Sequence, residues 1–192
     1  RYDRLPAPPE DLDATLTRLV AAGWRGFNVT IPHKQAVLRH QLMSVLSPAA
    51  RTIGAGNTLV VRADGSLRGD NTDWCGFLDD LRAHEVEISG AACVVLGTGG
   101  SARAVRYALE QAGAAQVTPL SRTPGNDPET VGYADLRRLV ERAALVVNCT
   151  PLGMWPAVER SLRPLAACGA ASGGSSMIGS SVGMPACFAT DR

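Results

Sequence analysis

Apolar positions along the chain recur at two spacings, and the switches between them mark the elements. Leu12, Leu16, Leu19 and Val20 follow Pro8-Pro9-Glu10-Asp11 at helical spacing, and Gly23 stands where a C-terminal cap belongs. Phe27-Asn28-Val29-Thr30-Ile31 reads as a short strand closed by Pro32. From Lys34 the positions of Val37, Leu38, Gln41 and Leu42 predict a helix. Ser47-Pro48 opens another, with Ser as N-cap and Pro at the first helical position. Residues 58–62 and 67–68 flank Ala63-Asp64-Gly65-Ser66, which predicts a hairpin built on Asp-Gly. Thr72 or Asp73 can cap the next helix, which carries Phe77, Leu78 and Leu81 and is expected to bridge two domains.

After Gly90 the pattern changes. Ala92-Cys93-Val94-Val95-Leu96 is a continuous apolar run, as in a strand buried on both faces. A helix with Val105, Leu109 and Ala112 follows, stopped by Gly113; then come a strand over 116–121, a helix over 136–142 and a buried strand over 145–149. Strands alternating with helices over short connections predict a parallel α/β sheet. The expected division is a first α/β domain over 1–76, a bridging helix over 77–89 and a second, doubly wound domain over 90–192. No internal repeat is visible.

Composition narrows the function classes. The chain has 192 residues, 45% hydrophobic and 19% charged, with a net charge of +1. No basic block points to nucleic acid or an anionic membrane, and no apolar run is long enough to span a bilayer. Arg1-Tyr2-Asp3-Arg4 does not read as a signal peptide, and the missing Met reads as a natural start lost. The five cysteines are scattered without Cys-x-x-Cys or Cys/His clustering, so neither a disulfide framework nor a metal site is expected, and a reducing cytoplasm is the default.

Candidate chemistry begins at Gly97-x-Gly99-x-x-Ala102, between a buried strand and a helix. The first glycine permits a tight turn, the second lets a pyrophosphate approach the backbone, and the small third residue lets helix and strand pack closely. Backbone N–H groups at Gly99, Gly100 and Ser101 and the positive end of the helix dipole favour phosphates there. An ordinary glycine-rich turn is the plain alternative. After the second strand, where NAD enzymes place an acidic residue for the ribose, stand Ser121-Arg122-Thr123. A guanidinium pairs well with phosphate, so Arg122 points to the 2′-phosphate of NADP, against the plain reading of a solvated arginine. Pro119 is awkward in a central strand.

The first domain carries polar sets at element ends: Asn28-Val29-Thr30-Ile31-Pro32-His33-Lys34, Gly54-Ala55-Gly56-Asn57-Thr58 and Asn71-Thr72-Asp73-Trp74-Cys75-Gly76. Singly, Lys34 reads as a solvated lysine, Asp73 as an N-cap, and Asn57 and Asn71 as turn residues. Together with Gly97-Thr98-Gly99-Gly100-Ser101-Ala102-Arg103-Ala104 and Asn148-Cys149-Thr150-Pro151-Leu152-Gly153-Met154, they form five ordered motifs that resemble the shikimate dehydrogenases over roughly residues 2–160. That resemblance implies a substrate domain and a Rossmann-type NADP domain facing each other across a cleft, and reversible NADPH-dependent reduction of 3-dehydroshikimate to shikimate, on the route to chorismate and the aromatic amino acids. It implies Lys34 and Asp73 as catalytic pair, and Thr30, Asn57 and Asn71 as substrate contacts. Gly97, Gly99, Gly100, Ser101, Ala102, Arg122 and Thr123 would hold NADP, with Thr150, Pro151, Gly153 and Met154 near the nicotinamide. The partners implied are small molecules, and a homodimer is admitted.

Two departures from the family pattern stand out. The chain starts downstream of the Ser-rich segment that holds the substrate carboxylate. From Pro164 to Thr190 it has no charged residue, and Gly, Ala and Ser dominate where the family has a strand, a helix and a Gly-x-x-Met-Leu segment. Truncation at both ends is therefore expected, with a tail that resembles a frame-shifted reading or a flexible linker. An NAD-using quinate/shikimate dehydrogenase and an inactive family remnant are the competing readings.

Overall fold

The computed structural model describes residues 2–125 and 128–152 and the backbone of two later strands, Ser175–Ile178 and Cys187–Thr190. It divides into two compact units, Arg1–Asp73 and Trp74–Arg192.

In the first unit, helix α1 (Leu12–Ala21) follows a 3₁₀ turn at Pro9–Asp11, and the strands are β1 (Gly26–Asn28), β2 (Met43–Leu46), β3 (Thr58–Val61) and β4 (Leu67–Asp70). Their order is β1-β3-β4-β2, with β1/β3 and β3/β4 antiparallel and β4/β2 parallel. Leu12 and Leu16 of α1 pack with Val37, Leu59 and Leu67 to form the core. The hairpin predicted around Asp64-Gly65 is β3–β4, and Gly65 has φ +79. Helix α2 (Pro48–Ile53) starts as predicted, with Ser47 Oγ accepting from Ala50 N–H at 3.1 Å.

The helix predicted from Lys34 does not form. A 3₁₀ turn spans only Ala36–Arg39, and the chain goes on as strand β2. Buried His40 redirects it: its Nδ1 accepts from Leu42 N–H at 3.1 Å, and its Nε2 lies 3.1 Å from the Asp13 carbonyl. The predicted strand over 27–31 is likewise shorter. It ends at Asn28, and Thr30 instead begins a turn, its carbonyl accepting from His33 N–H at 2.9 Å.

The second unit is built on β5 (Ala92–Leu96), β6 (Gln116–Ser121), β7 (Val131–Gly132) and β8 (Leu145–Asn148), all parallel and ordered β7-β6-β5-β8. Helices α3 (Asp73–Ala83), α4 (Gly100–Gln111) and α5 (Leu136–Val140) accompany them. Alternate residues of β5 point to opposite faces. Cys93 and Val95 pack with Phe77, Leu78 and Leu81 of α3 and Val105 and Leu109 of α4. Val94 and Leu96 pack with Leu120, Leu136, Val140 and Val146. Both faces are covered, which is why β5 reads as an unbroken apolar run. Burial pushes the Cys93 thiol up to about 11, so it packs as an apolar residue. Pro119 is accommodated because β7 joins β6 only at Leu120 and Ser121, so at Pro119 the ladder runs on the β5 side alone.

The tail, expected to read as a frame-shifted segment or a flexible linker, contributes two strands. Strands β9 (Ser175–Ile178) and β10 (Cys187–Thr190) extend the sheet beyond β8, β10 antiparallel to both β8 and β9. Residues 179–186 leave too little chain between them for a parallel crossover, which takes about a dozen residues or more, so the pair is antiparallel.

Three helices end in the same double-bonded cap. At α1, Gly23 (φ +83) donates to Val20 O at 3.0 Å and Trp24 to Leu19 O at 3.2 Å. At α4, Gly113 (φ +81) donates to Glu110 O at 3.1 Å and Ala114 to Leu109 O at 3.0 Å. At α3 the left-handed position is filled by Glu85 (φ 55), with Glu85 donating to Arg82 O at 3.1 Å and Val86 to Leu81 O at 3.0 Å. A side chain in that conformation costs about 1 kcal/mol or more. Glu85→Gly is therefore expected to stabilise the protein by about 1 kcal/mol, read as a rise in Tm, whereas Gly113→Ala is expected to lower it.

Candidate active site

Three pieces of the first unit converge where its strands end: the turn after β1, the segment before β3 and the segment after β4. Backbone bonds fix them to each other. Val29 N–H donates to Asn57 O at 2.7 Å, Gly56 N–H to Lys34 O at 2.7 Å, and Asn57 N–H to Asp70 O at 3.0 Å. Gly56 permits this closeness, since a Cβ there would lie 2.7 Å from a Leu38 methyl and 3.3 Å from Asp70 O.

These bonds bring Lys34, Asn57 and Asp73 side by side. Lys34 Nζ donates to Asp73 Oδ2 at 2.7 Å, and Asn57 Nδ2 donates to Asp73 Oδ1 at 2.7 Å. Both carboxylate oxygens are thus engaged. The ion pair is sheltered, with Lys34 and Asp73 side chains 12% and 18% exposed, so it interacts more strongly than a surface pair. Asp73 is also the first residue of α3, where the helix dipole favours negative charge. Asn57 Oδ1 accepts from Thr72 N–H at 2.9 Å and from Thr58 Oγ at 3.0 Å, which fixes the direction of the amide. The set can hold a proton at Lys34 Nζ beside a carboxylate that balances its charge, and can present an amide to a polar ligand.

Of the other sequence-derived candidates in this unit, Thr30 is exposed on the turn leading to Lys34. Asn71 departs from the expected substrate contact. It is only 1% exposed, and its amide is used on both sides: Nδ2 donates to Ala55 O at 2.9 Å and Oδ1 accepts from Asp73 N–H at 3.0 Å. Its polar atoms are committed within the chain, and a ring hydroxyl has none to reach.

In the second unit the glycine loop leaves β5 at the point where strand order reverses between β5 and β8, the usual place for a ligand in such sheets. Gly97 has φ +108, and a Cβ there would meet Cys149 O at 3.2 Å, so conformation and space both require glycine. Gly99 caps α4, and nothing lies within 4 Å of where its Cβ would be. That open space, above the N-terminus of a twelve-residue helix, suits the close approach of a phosphate. Ala102 is buried, as close packing of helix on strand requires. Arg122 and Thr123 follow β6, and Thr123 N–H donates to Ser121 Oγ at 3.3 Å. These residues fit a phosphorylated dinucleotide.

Tyr133 goes unnoticed in the sequence, and Asn148 is noted there only as part of a motif, with no role of its own. Burial raises the Tyr133 phenol above its ordinary value, while the Arg122 charge opposes the shift. Asn148 organises the loop after β8: its Oδ1 accepts from Thr150 N–H at 3.0 Å and Thr150 Oγ at 2.6 Å, and its Nδ2 donates to Leu152 O at 2.9 Å. The Asn-x-Thr spacing is the signal for such a turn. Thr150 and Pro151 are held on this loop, whereas Gly153 and Met154 lie outside the described residues.

Comparison with known proteins agrees with this geometry. The family model for the shikimate dehydrogenase substrate binding domain matches residues 1–59. The shikimate dehydrogenase (NADP(+)) of Moorella thermoacetica is 41% identical over 179 residues, covering 85% of this chain and 60% of that protein. Over 85% of its length the chain is similar to a shikimate dehydrogenase. It spans about 60% of the length of the relatives it matches, as the Moorella protein illustrates. Among solved structures, the chorismate mutase/shikimate 5-dehydrogenase fusion of Clostridium acetobutylicum superposes with a TM-score of 0.74 at 33% identity, over 85% of this chain and 61% of that one. The Thermus thermophilus shikimate 5-dehydrogenase, solved with NADP(H) and shikimate, gives 0.64 at 37% identity, over 77% and 56%. Among the described residues no helix is long and apolar enough to cross a membrane.

The two loop glycines make different demands. Gly97→Ala is expected to cost about 1–3 kcal/mol, from the backbone conformation and the Cys149 carbonyl. Gly99→Ala, in open space with φ −72, is expected to cost less than about 1 kcal/mol. Urea denaturation of both variants measures the difference, and equal losses would contradict the assignment of strain to Gly97.

Proposed function

We propose that this chain carries the substrate and nucleotide machinery of an NADP-dependent shikimate dehydrogenase, catalysing reversible reduction of 3-dehydroshikimate to shikimate in the cytoplasm. The observation that carries this reading is the 2.7 Å Lys34–Asp73 pair with Asn57 on the second carboxylate oxygen. The names of the relatives and the ligands of the Thermus protein support it.

The first unit would take the substrate and the second the nucleotide. Thr30, exposed on its turn, would bond one ring hydroxyl, and Asn57 would meet another by exchanging one of its bonds to Thr72 or Thr58. Gly97, Gly99, Gly100, Ser101 and Ala102 would receive the pyrophosphate, Arg122 and Thr123 the 2′-phosphate, and Thr150 and Pro151 would flank the nicotinamide. The bound nucleotide supplies hydride chemistry. Lys34 polarises the ketone through its ammonium and, as hydride reaches the carbon, gives the oxygen its proton. In the reverse direction Lys34 Nζ takes the hydroxyl proton. Asp73 keeps the ammonium aimed and balances its charge, and no metal enters this scheme.

The test is to follow NADP reduction by absorbance with shikimate, with quinate and NAD in parallel arms. Shikimate-dependent reduction is expected, falling roughly 10²–10⁴-fold in Lys34→Ala. A preference for quinate or NAD, or no turnover in any arm, would overturn the proposal for this chain. Arg122→Ala is expected to raise the KM for NADP about tenfold or more, through loss of a charge-assisted bond worth about 1.5–3 kcal/mol, while leaving that for NAD little changed.

A further inference from the structure

We infer that Asn71 is the positioning residue of the Lys34–Asp73 pair, acting from inside the protein without touching the substrate. It is one of the few buried polar residues among those described, at 1% exposure. Its amide joins the two pieces that must meet. One end donates to Ala55 O at 2.9 Å, and the next two residues of that segment are Gly56, which holds the Lys34 backbone, and Asn57, which holds Asp73 Oδ1. The other end accepts from the Asp73 N–H at 3.0 Å, at the start of α3.

Asn71 is itself held. Its N–H donates to Asp70 Oδ1 at 2.7 Å, and the same oxygen accepts from Ser47 Oγ at 2.5 Å, the hydroxyl that caps α2. A line of bonds thus runs from α2 through Asp70 and Asn71 to the backbone of Asp73. The task needs a donor and an acceptor on one short branch, which an amide has and an ionised carboxylate does not. With Asn71 removed, the Ala55 carbonyl loses its bond and the Asp73 N–H its side-chain acceptor. Asp73 then loses its fixed place against Lys34.

The inference rests on the proposed proton-handling role of Lys34 and Asp73, so its test has one arm that needs no turnover. Lys34 is the only lysine in the chain, and peptide mass spectrometry can follow its acylation by a succinimidyl ester at fixed pH. Asp73→Asn, which releases the ammonium, sets the reference rate. Asn71→Ala is expected to acylate faster than the parent and to approach that reference. Should Asn71→Ala not fold, Asn71→Asp carries the test: it retains the acceptor for Asp73 N–H and reverses the interaction at Ala55 O. In the activity arm kcat is expected to fall about tenfold or more while the KM for shikimate stays nearly constant. An unchanged acylation rate in a folded variant would falsify the inference, as would a raised KM with kcat intact, which marks a substrate contact. A parent without shikimate turnover overturns the proposed function alone, and the acylation arm still decides the role of Asn71.

Discussion

The first unit depends on one carboxylate being shared. Asp73 offers Oδ2 to Lys34 and Oδ1 to Asn57, both at 2.7 Å, so a cation and an amide from distant parts of the chain are oriented by the same group. Such sharing is demanding. A part-buried carboxylate must recover by hydrogen bonding what it loses in solvation, and each partner must arrive from a fixed direction. The surrounding geometry serves that end: the turn after β1 delivers Lys34, the close approach at Gly56 ties its carbonyl to the Asn57 segment, and the end of β4 delivers Asp73 at the start of a helix. Each bond is ordinary. Their joint effect is that Lys34 and Asp73 meet across 39 positions of sequence.

The second unit meets a different constraint, close approach of backbone to backbone. Gly97 lies against the Cys149 carbonyl because β5 and β8 are neighbours, and the loops leaving them must pass within contact distance. The same adjacency places the Asn148–Thr150 turn beside the glycine loop. Parallel pairing of β5 with β6 and β8 therefore sets which loops can gather at the strand ends. The apolar alternation within β5 feeds two separate cores and makes that pairing rigid.

Much of this was legible in the sequence where one local signal met no competitor. Ser47-Pro48, the hairpin at Asp64-Gly65 and the apolar run into Gly97 each have a single low-energy reading, and each forms as read. The stretch from Lys34 to Leu46 does not, because Val37, Leu38 and Leu42 fit a helix and a folded turn equally well. The decision lies with His40, whose contact with the Asp13 carbonyl exists only once α1 has packed. Strand β2 was hidden further by an irregularity between Met43 and Val45, which spoils the alternation that marks a strand. Asn71 shows a deeper limit. An asparagine facing a ligand and one facing the interior have the same residue type at the same spacing, and only burial separates them.

The position of Asp73 gives that burial its meaning. It is the last residue of the first unit and the first of α3, whose Phe77, Leu78 and Leu81 build the core of the second. A helix start is where a chain frays, because its first N–H groups lack partners within the helix. At α3 one of these groups, that of Asp73, is taken up by Asn71, anchored in turn to the Ala55 carbonyl. The Asp73 carboxylate bonds Lys34 and Asn57, not the N–H groups of the helix that an N-cap would take. A buried amide that holds the backbone of a helix's first residue is thus one physical way to aim a carboxylate away from its own helix.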